Sequence, residues 1–291
     1  MATIPIALRT RNRPVFLDTT LKSLWYTNLP NDAEMLVLDD CSDDPLTVRY
    51  LRTTDTIELP EPFKWRTDPK FVNNAAAFKT VNRLHGIANR IEVVQPDTRR
   101  GVRHGVFWCI RYMMNRFRDA PAIILIEADS IFHAEWYTRL LEVFELVRDQ
   151  KGPNGDCLGL LTCYDRMGRT LQGPPFMWRR VTKLANGNWG CAKAIGGVLY
   201  LVDRKFYMRA FDEFERQQRG NPGKVSGDTM LQGCAGTYKC NLATTYPSYC
   251  QHIGYHSLAW PTKGWRYTRN FKRPVVFENR TKDGTLFSDE W

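Results

Sequence analysis

The chain has 291 residues, 43% of them hydrophobic and 25% charged, and a formal net charge of +10. That is enough apolar material for a full core, and the length fits one large domain better than two small ones. No run of about 18 uncharged apolar residues occurs, and the opening MATIPIALRTRNRP has no signal-peptide apolar region before its arginines, so a soluble, unexported, cytoplasmic protein is expected. The eight cysteines (41, 109, 157, 163, 191, 234, 240 and 250) form no CxxC pair, and several lie in apolar or helical contexts, which reads as reduced thiols. The surplus of positive charge suits a polyanionic partner: nucleic acid, an acidic membrane surface or a phosphate-bearing substrate.

In chain order, TIPIAL (3 to 8) predicts a buried strand. PVFLDTTLKSLWYTN follows as a helix, with Leu17, Leu21, Leu24 and Trp25 on one face and Pro14 tolerated in the first turn. EMLVLDD (34 to 40) predicts a second strand ending in acids, RIEVVQP (90 to 96) a third and AIILIEAD a fourth. Between the last two, Val106, Ile110, Met113, Met114 and Phe117 form the apolar stripe of a helix whose other face carries Arg103, Arg111, Arg116 and Arg118. Trp136, Leu140, Leu141, Phe144 and Val147 repeat at helical spacing, so Glu127 to His133 is read as a strand-to-helix turn. Beyond residue 150 come a strand at CLGLLT (157 to 162), a long Gly-, Pro- and Arg-rich loop with interspersed aromatics, a strand in AIGGVLYLVD, and one helix, RKFYMRAFDEFERQ, capped by Asp203. The tail from Trp260 mixes bases with Trp and Tyr and has little periodicity.

The fourth strand poses the chemical question, because its apolar run Ile123 to Ile126 delivers two carboxylates, Glu127 and Asp129, one residue apart. In an open α/β sheet the carboxyl edge is where ligands bind. Two oxygen donors there suit a hard divalent cation, Mg2+ or Mn2+, which leaves positions open for substrate phosphates. The stretch alone equally admits solvated turn acids, with Asp129 or Ser130 capping the next helix.

Taken in order, the motifs resemble the GT-A glycosyltransferases, in particular the family-two type, which transfer a sugar from a nucleotide diphosphate donor. IPIALRTRNRPVFLDTTLKSL looks like the opening nucleotide-binding strand and helix, LVLDDCSDD like the second strand with its nucleotide-contacting acid, and GVRHGVFWCI like the helix entry presenting an arginine to the diphosphate. IEADS occupies the place of the acidic metal motif, as Glu127-Ala128-Asp129 where a pair of aspartates is commoner. GGVLYLV looks like the acceptor-side glycine strand, SGDTML like the helix start with the catalytic base, and QHIGYHS like the late histidine segment of metal-dependent members. The series spans roughly residues 3 to 257.

The resemblance implies an α/β chain with a Rossmann-like mixed sheet flanked by helices. It places a glycosyltransferase domain over 1–257, divided into a nucleotide-sugar half (1–150) and an acceptor half (151–257), and a basic C-terminal extension over 258–291. It makes Asp228 the base that deprotonates the acceptor hydroxyl, although Gly227-Asp228 replaces the commoner Glu-Asp, and the same residue also reads as a plain helix N-cap. Arg9, Thr10, Arg11 and Asp39 or Asp40 would hold the nucleotide, Arg103 the diphosphate, and Gly196 and Gly197 the acceptor side. Asp129 and His252 would hold Mn2+ or Mg2+, with Glu127 acting through water or on the donor ribose and His256 as the substitute for His252.

A zinc site from Cys234, Cys240, Cys250 and His252 is disfavoured by its spacings, and a nucleotidyltransferase by the absence of glycine in LRTRNRP. A catalytically dead nucleic-acid-binding module would leave Glu127, Asp129 and Asp228 without a role. The basic, aromatic-rich segments 166–183 and 260–274 suit a double-stranded DNA acceptor with a flipped-out base. Some viral glycosyltransferases modify a hydroxymethylated pyrimidine of this kind, which would put the chain in a host cytoplasm. A lipid-linked or protein glycan is the alternative acceptor.

Overall fold

The computed structural model describes residues 3–64, 80–164, 176–179, 182–183, 189–190, 195, 197–219, 227–245 and 248–252. Its elements are β1 (Ile6–Thr10), α1 (Pro14–Trp25), β2 (Met35–Asp39), α2 (Pro45–Arg52), β3 (Thr56–Lys64), β4 (Thr80–His85), β5 (Glu92–Val94), α3 (Gly101–Arg116), β6 (Ala122–Glu127), β7 (Ser130–Phe132) and α4 (Trp136–Val147). The second half contains β8 (Cys157–Thr162), β9 (Phe176–Arg179), β10 (Thr182–Lys183), β11 (Trp189–Gly190), β12 (Leu199–Asp203), α5 (Arg204–Arg209), α6 (Phe211–Arg219), α7 (Gly227–Thr237), β13 (Cys240–Thr245) and β14 (Cys250–His252).

Eight strands form one sheet in the order β5-β2-β1-β6-β12-β8-β13-β9. The four from β5 to β6 are parallel, β12 runs antiparallel to both β6 and β8, β8 and β13 are parallel, and β9 closes the edge antiparallel to β13. This is the α/β mixed sheet flanked by helices that the motifs imply. Alternate strand residues face opposite layers: Ile6, Leu8, Ile124 and Ile126 pack with Leu17, Leu21, Trp136, Leu140 and Phe144 from α1 and α4. Ala7, Ile123 and Leu125 pack with Phe107, Ile110 and Met113 of α3 and with Phe206, Phe214 and Leu231 of α5 to α7. A strand covered by helices on both faces has to be apolar at every position, which explains the unbroken run before Glu127.

Several expected elements change form. The turn over Glu127 to His133 contains β7, which pairs with β14, and α4 begins at Trp136 with no side-chain cap, so neither Asp129 nor Ser130 caps it. The single helix expected after Asp203 divides at Ala210 into α5 and α6, while Asp203 caps α5 as expected, accepting from the Lys205 and Phe206 amides. Within the long loop, β9 joins the main sheet and β10 pairs with β11. The C-terminal extension 258–291, segment 260–274 and most of segment 166–183 lie outside the described residues. Among the described residues no helix is long and apolar enough to cross a membrane.

The direction of β12 determines what meets the carboxyl ends of β1, β2 and β6. Because β12 is antiparallel, it begins at that edge, and the Glu127 amide donates to the Val198 carbonyl at 2.9 Å. The start of α7 reaches the same edge by packing tightly on α3: a Cβ on Gly227 would sit 2.8 Å from both the Val102 carbonyl oxygen and Val106 Cγ2. Gly227→Ala should therefore push α7 from α3 and cost about 1–3 kcal/mol, the usual range for overpacking, measurable as a lowered urea midpoint.

Candidate active site

The first loop is shaped by Asn12, a non-glycine residue at φ 50°. Its amide oxygen accepts from the Asp43 and Asp44 backbone at 2.9 and 3.0 Å, and its own N–H donates to Ser42 Oγ at 2.9 Å. The loops after β1 and β2 are thereby clamped together. Arg11 faces this rim, paired with exposed Asp43 at 3.1 Å, while Arg13, the residue before Pro14 at the start of α1, turns inward.

Inward lie the acids. Arg9 and Glu127 are directly opposite in the β1–β6 register and pair at 3.1 Å. Burial alone would lower the Arg9 pKa, but the charges of Glu127, Asp40 and Asp228 together raise it. Burial pushes the Glu127 carboxyl up, Arg9 pulls it back, and Asp129 and Asp228 add repulsion, leaving it above the ordinary glutamate value. Asp129 is 4% exposed, and its Oδ2 accepts from Arg13 Nη1 and from His252 Nε2, the latter at 3.0 Å. Burial would raise this carboxyl too, yet His252 and Arg13 hold it well below the usual range. His252 arrives through strand pairing: β14 lies against β7 with His252 opposite Ser130, so the imidazole meets the residue before it.

Asp228 stands in the first turn of α7, where its Oδ1 accepts from the Thr229 amide at 2.8 Å. A Cβ on Gly197 would lie 2.8 Å from Asp228 Oδ2 and 3.0 Å from its Cβ, so only glycine leaves this carboxylate its place beside the start of β12. Its charge reaches both Arg9 and Glu127.

Several of the other expected residues hold local structure. Asp39 accepts from the Ser42 amide (2.9 Å), Ser42 Oγ (2.5 Å) and Gln95 Nε2 (2.6 Å), and Asp40 accepts from the Arg100 and Gly101 amides at 2.5 and 2.7 Å. Both carboxylates therefore hold backbone, and Asp40 serves the otherwise uncapped start of α3. Arg103, expected at the diphosphate, donates to Gln217 Oε1 on α6 at 2.6 Å. Thr10 is buried at the β1 terminus, and among the described residues its hydroxyl has no hydrogen-bond partner. Gly196 and His256 lie outside the described residues.

Among the described residues no three His, Cys, Asp or Glu side chains converge as a cation site. The expected set of Asp129, His252 and Glu127 is reduced to two, because Glu127 is turned to Arg9. The two still fit a hard cation. Asp129 Oδ1 is buried and, among the described residues, accepts no hydrogen bond, which leaves one open oxygen on a carboxylate kept ionised. Mg2+ and related ions take one or two carboxylates, with waters and substrate phosphates completing the shell. Arg13 is the residue that motif reasoning missed. An arginine before a helix-opening proline reads as solvent-facing, and the available signal was its place one turn beyond a strand end that faces two acids.

No protein-family model and no curated protein sequence matches the chain. Among solved structures, S. aureus TarS 1-349 is 13% identical, with 86% of this chain and 60% of that one covered and a TM-score of 0.46. The same protein in complex with UDP-GlcNAc gives 12% identity, 86% and 58% coverage and a TM-score of 0.45. The mannosyltransferase PcManGT from Pyrobaculum calidifontis, in complex with GDP-Man and Mn2+, gives 14%, 85% and 55%, and 0.44. The chain thus spans under two thirds of the length of the proteins it is similar to.

The Arg9–Glu127 pair has a measurable energetic signature. Arg9→Met should destabilise the fold, leaving Glu127 half-buried without its partner, and Glu127→Gln added to it should recover part of the loss. The expected coupling in a double-mutant cycle of urea unfolding is about 1–3 kcal/mol.

Proposed function

We propose that the chain is an inverting, metal-dependent glycosyltransferase that moves a sugar from a nucleotide diphosphate donor to an acceptor hydroxyl. The observation that carries this reading is the meeting of Glu127 and Asp129 from one strand end and Asp228 from α7 with Arg9, Arg13 and His252 at one carboxyl edge of the sheet. A divalent ion at Asp129 and His252, Mn2+ or Mg2+, would offset the negative charge that grows on the β-phosphate as the diphosphate leaves.

The protein's own groups divide the remaining work. Arg9, Thr10 and Arg11 line the end of β1 and the loop after it, where the nucleotide would lie, with Asp39 and Asp40 setting the backbone beneath it and Gly197 leaving room beside Asp228 on the acceptor side. Asp228 accepts the acceptor's proton as that oxygen bonds to the anomeric carbon and the carbon–phosphate oxygen bond breaks. One such displacement inverts the anomeric centre. Asp228→Asn should bind a nucleotide diphosphate sugar normally and lose transfer by about 10²-fold or more. The wild-type product should have inverted configuration, and a retained configuration would refute the assignment. Release of pyrophosphate from a nucleoside triphosphate, without cleavage of a nucleotide sugar, would move the chain to the nucleotidyltransferases.

For the acceptor we favour a hydroxymethylated pyrimidine in duplex DNA. The net charge of +10 and the interleaving of Arg and Lys with Trp, Tyr and Phe over 166–183 and 260–274 support it, since rings can hold a displaced base while cations hold the backbone. Duplex binding should weaken with a log–log salt slope of several units, and transfer should require the hydroxymethyl group. Transfer to a lipid-linked or protein glycan with no duplex binding at low salt would return the acceptor to the glycan class.

A further inference from the structure

Asp129 has a cation on it already. Arg13 Nη1 and His252 Nε2 both meet Oδ2, while Oδ1 is buried and has no hydrogen-bond partner among the described residues. Arg13 is well placed to leave. It precedes the first turn of α1, its backbone is fixed between the Asn12 clamp and Pro14, and its guanidinium lies 5.1 Å from the centre of the Phe16 ring. That ring gives the charge a second favourable surface.

A divalent ion added to Asp129 with Arg13 still in place would crowd three positive charges, and His252 besides, around one carboxylate. An ion on the open Oδ1 would set its charge against the guanidinium on Oδ2 and weaken that contact. An incoming nucleotide diphosphate carries the negative charge and the planar pairs of oxygens that a guanidinium binds best.

We propose that Arg13 is a stand-in for the cation: it holds Asp129 until metal and donor arrive together, then passes to the donor's diphosphate. Resting on the glycosyltransferase reading, this makes Arg13 a positioning residue that couples metal binding to nucleotide binding. Metal alone has to displace Arg13 without compensation, whereas metal with nucleotide gives the displaced guanidinium a new partner. Coupling of this kind is reciprocal, so metal tightens nucleotide binding by the same factor that nucleotide tightens metal.

The test is Mn2+ affinity of the full chain, measured by electron paramagnetic resonance of free Mn2+, alone and with saturating UDP or GDP. Wild type should bind Mn2+ weakly alone and at least about tenfold more tightly with one of the nucleotides. Arg13→Gln should bind Mn2+ alone about tenfold more tightly than wild type, with the nucleotide effect falling towards one. Arg13→Lys, which keeps the charge, should retain most of the coupling, and Asp129→Asn should abolish site binding. Thermal melting of each variant checks that the fold persists. If Arg13→Gln binds Mn2+ no better than wild type and keeps full coupling, Arg13 is a static structural partner and the proposal fails while the glycosyltransferase reading stands. If wild type binds no Mn2+ with either nucleotide, the metal-dependent reading fails and takes this proposal with it.

Discussion

Two carboxylates one residue apart, at the end of a strand with helices on both faces, repel each other in a medium that screens poorly. The surroundings of Glu127 and Asp129 supply partners from three directions. Arg9 comes from the neighbouring strand in exact register, Arg13 from the start of the first helix, and His252 from a short ribbon in the second half of the chain. The two acids respond differently. Glu127 is pushed towards its neutral form, and Asp129 is kept firmly ionised. Two acids of one motif are thus given different electrostatic characters by their neighbours, which is how a single edge acquires separate chemical roles.

The reversal of β12 has an equally large effect on that edge. In a wholly parallel sheet, the strand beside β6 would bring its own carboxyl end here. Running the other way, β12 brings its beginning, and the small residue at Gly197 admits Asp228 from α7. The aspartates differ in their partners. Asp39 and Asp40 anchor loops and a helix start through backbone amides, Asp129 keeps a buried oxygen without a hydrogen bond among the described residues, and Asp228 lies against Gly197.

What could be read in the residues follows from where the physical signal was local. The apolar run of β6, the stripe of α3 and the repeat of α4 are each required by burial on a regular face, and they stand where periodicity puts them. β13 hides because its sequence, CNLATT, is half polar although every position is buried; Asn241 is tolerated by donating to the Gly155 and Cys157 carbonyls and accepting from the Asn154 amide. β7 and β14 have three residues each and no periodicity to display. The partners of Arg103 and Arg13 are hidden for the same reason. Which way an arginine turns depends on partners far along the chain, Gln217 for one and Asp129 for the other, and no local pattern records them.

The ribbon that delivers His252 is one of two long closures that build this edge. β1 meets β6 across the 118 residues that separate Arg9 from Glu127, with β2, β5 and α3 formed in between. β14 meets β7 across a comparable stretch, after the chain has returned through β13, and each of the two closures spans more than a third of its length and carries an entropic cost. Without the first closure Glu127 lacks Arg9, and without the second Asp129 lacks its imidazole. The edge where chemistry is expected thus depends on contacts between distant segments, and its integrity reports on the folding of the entire chain.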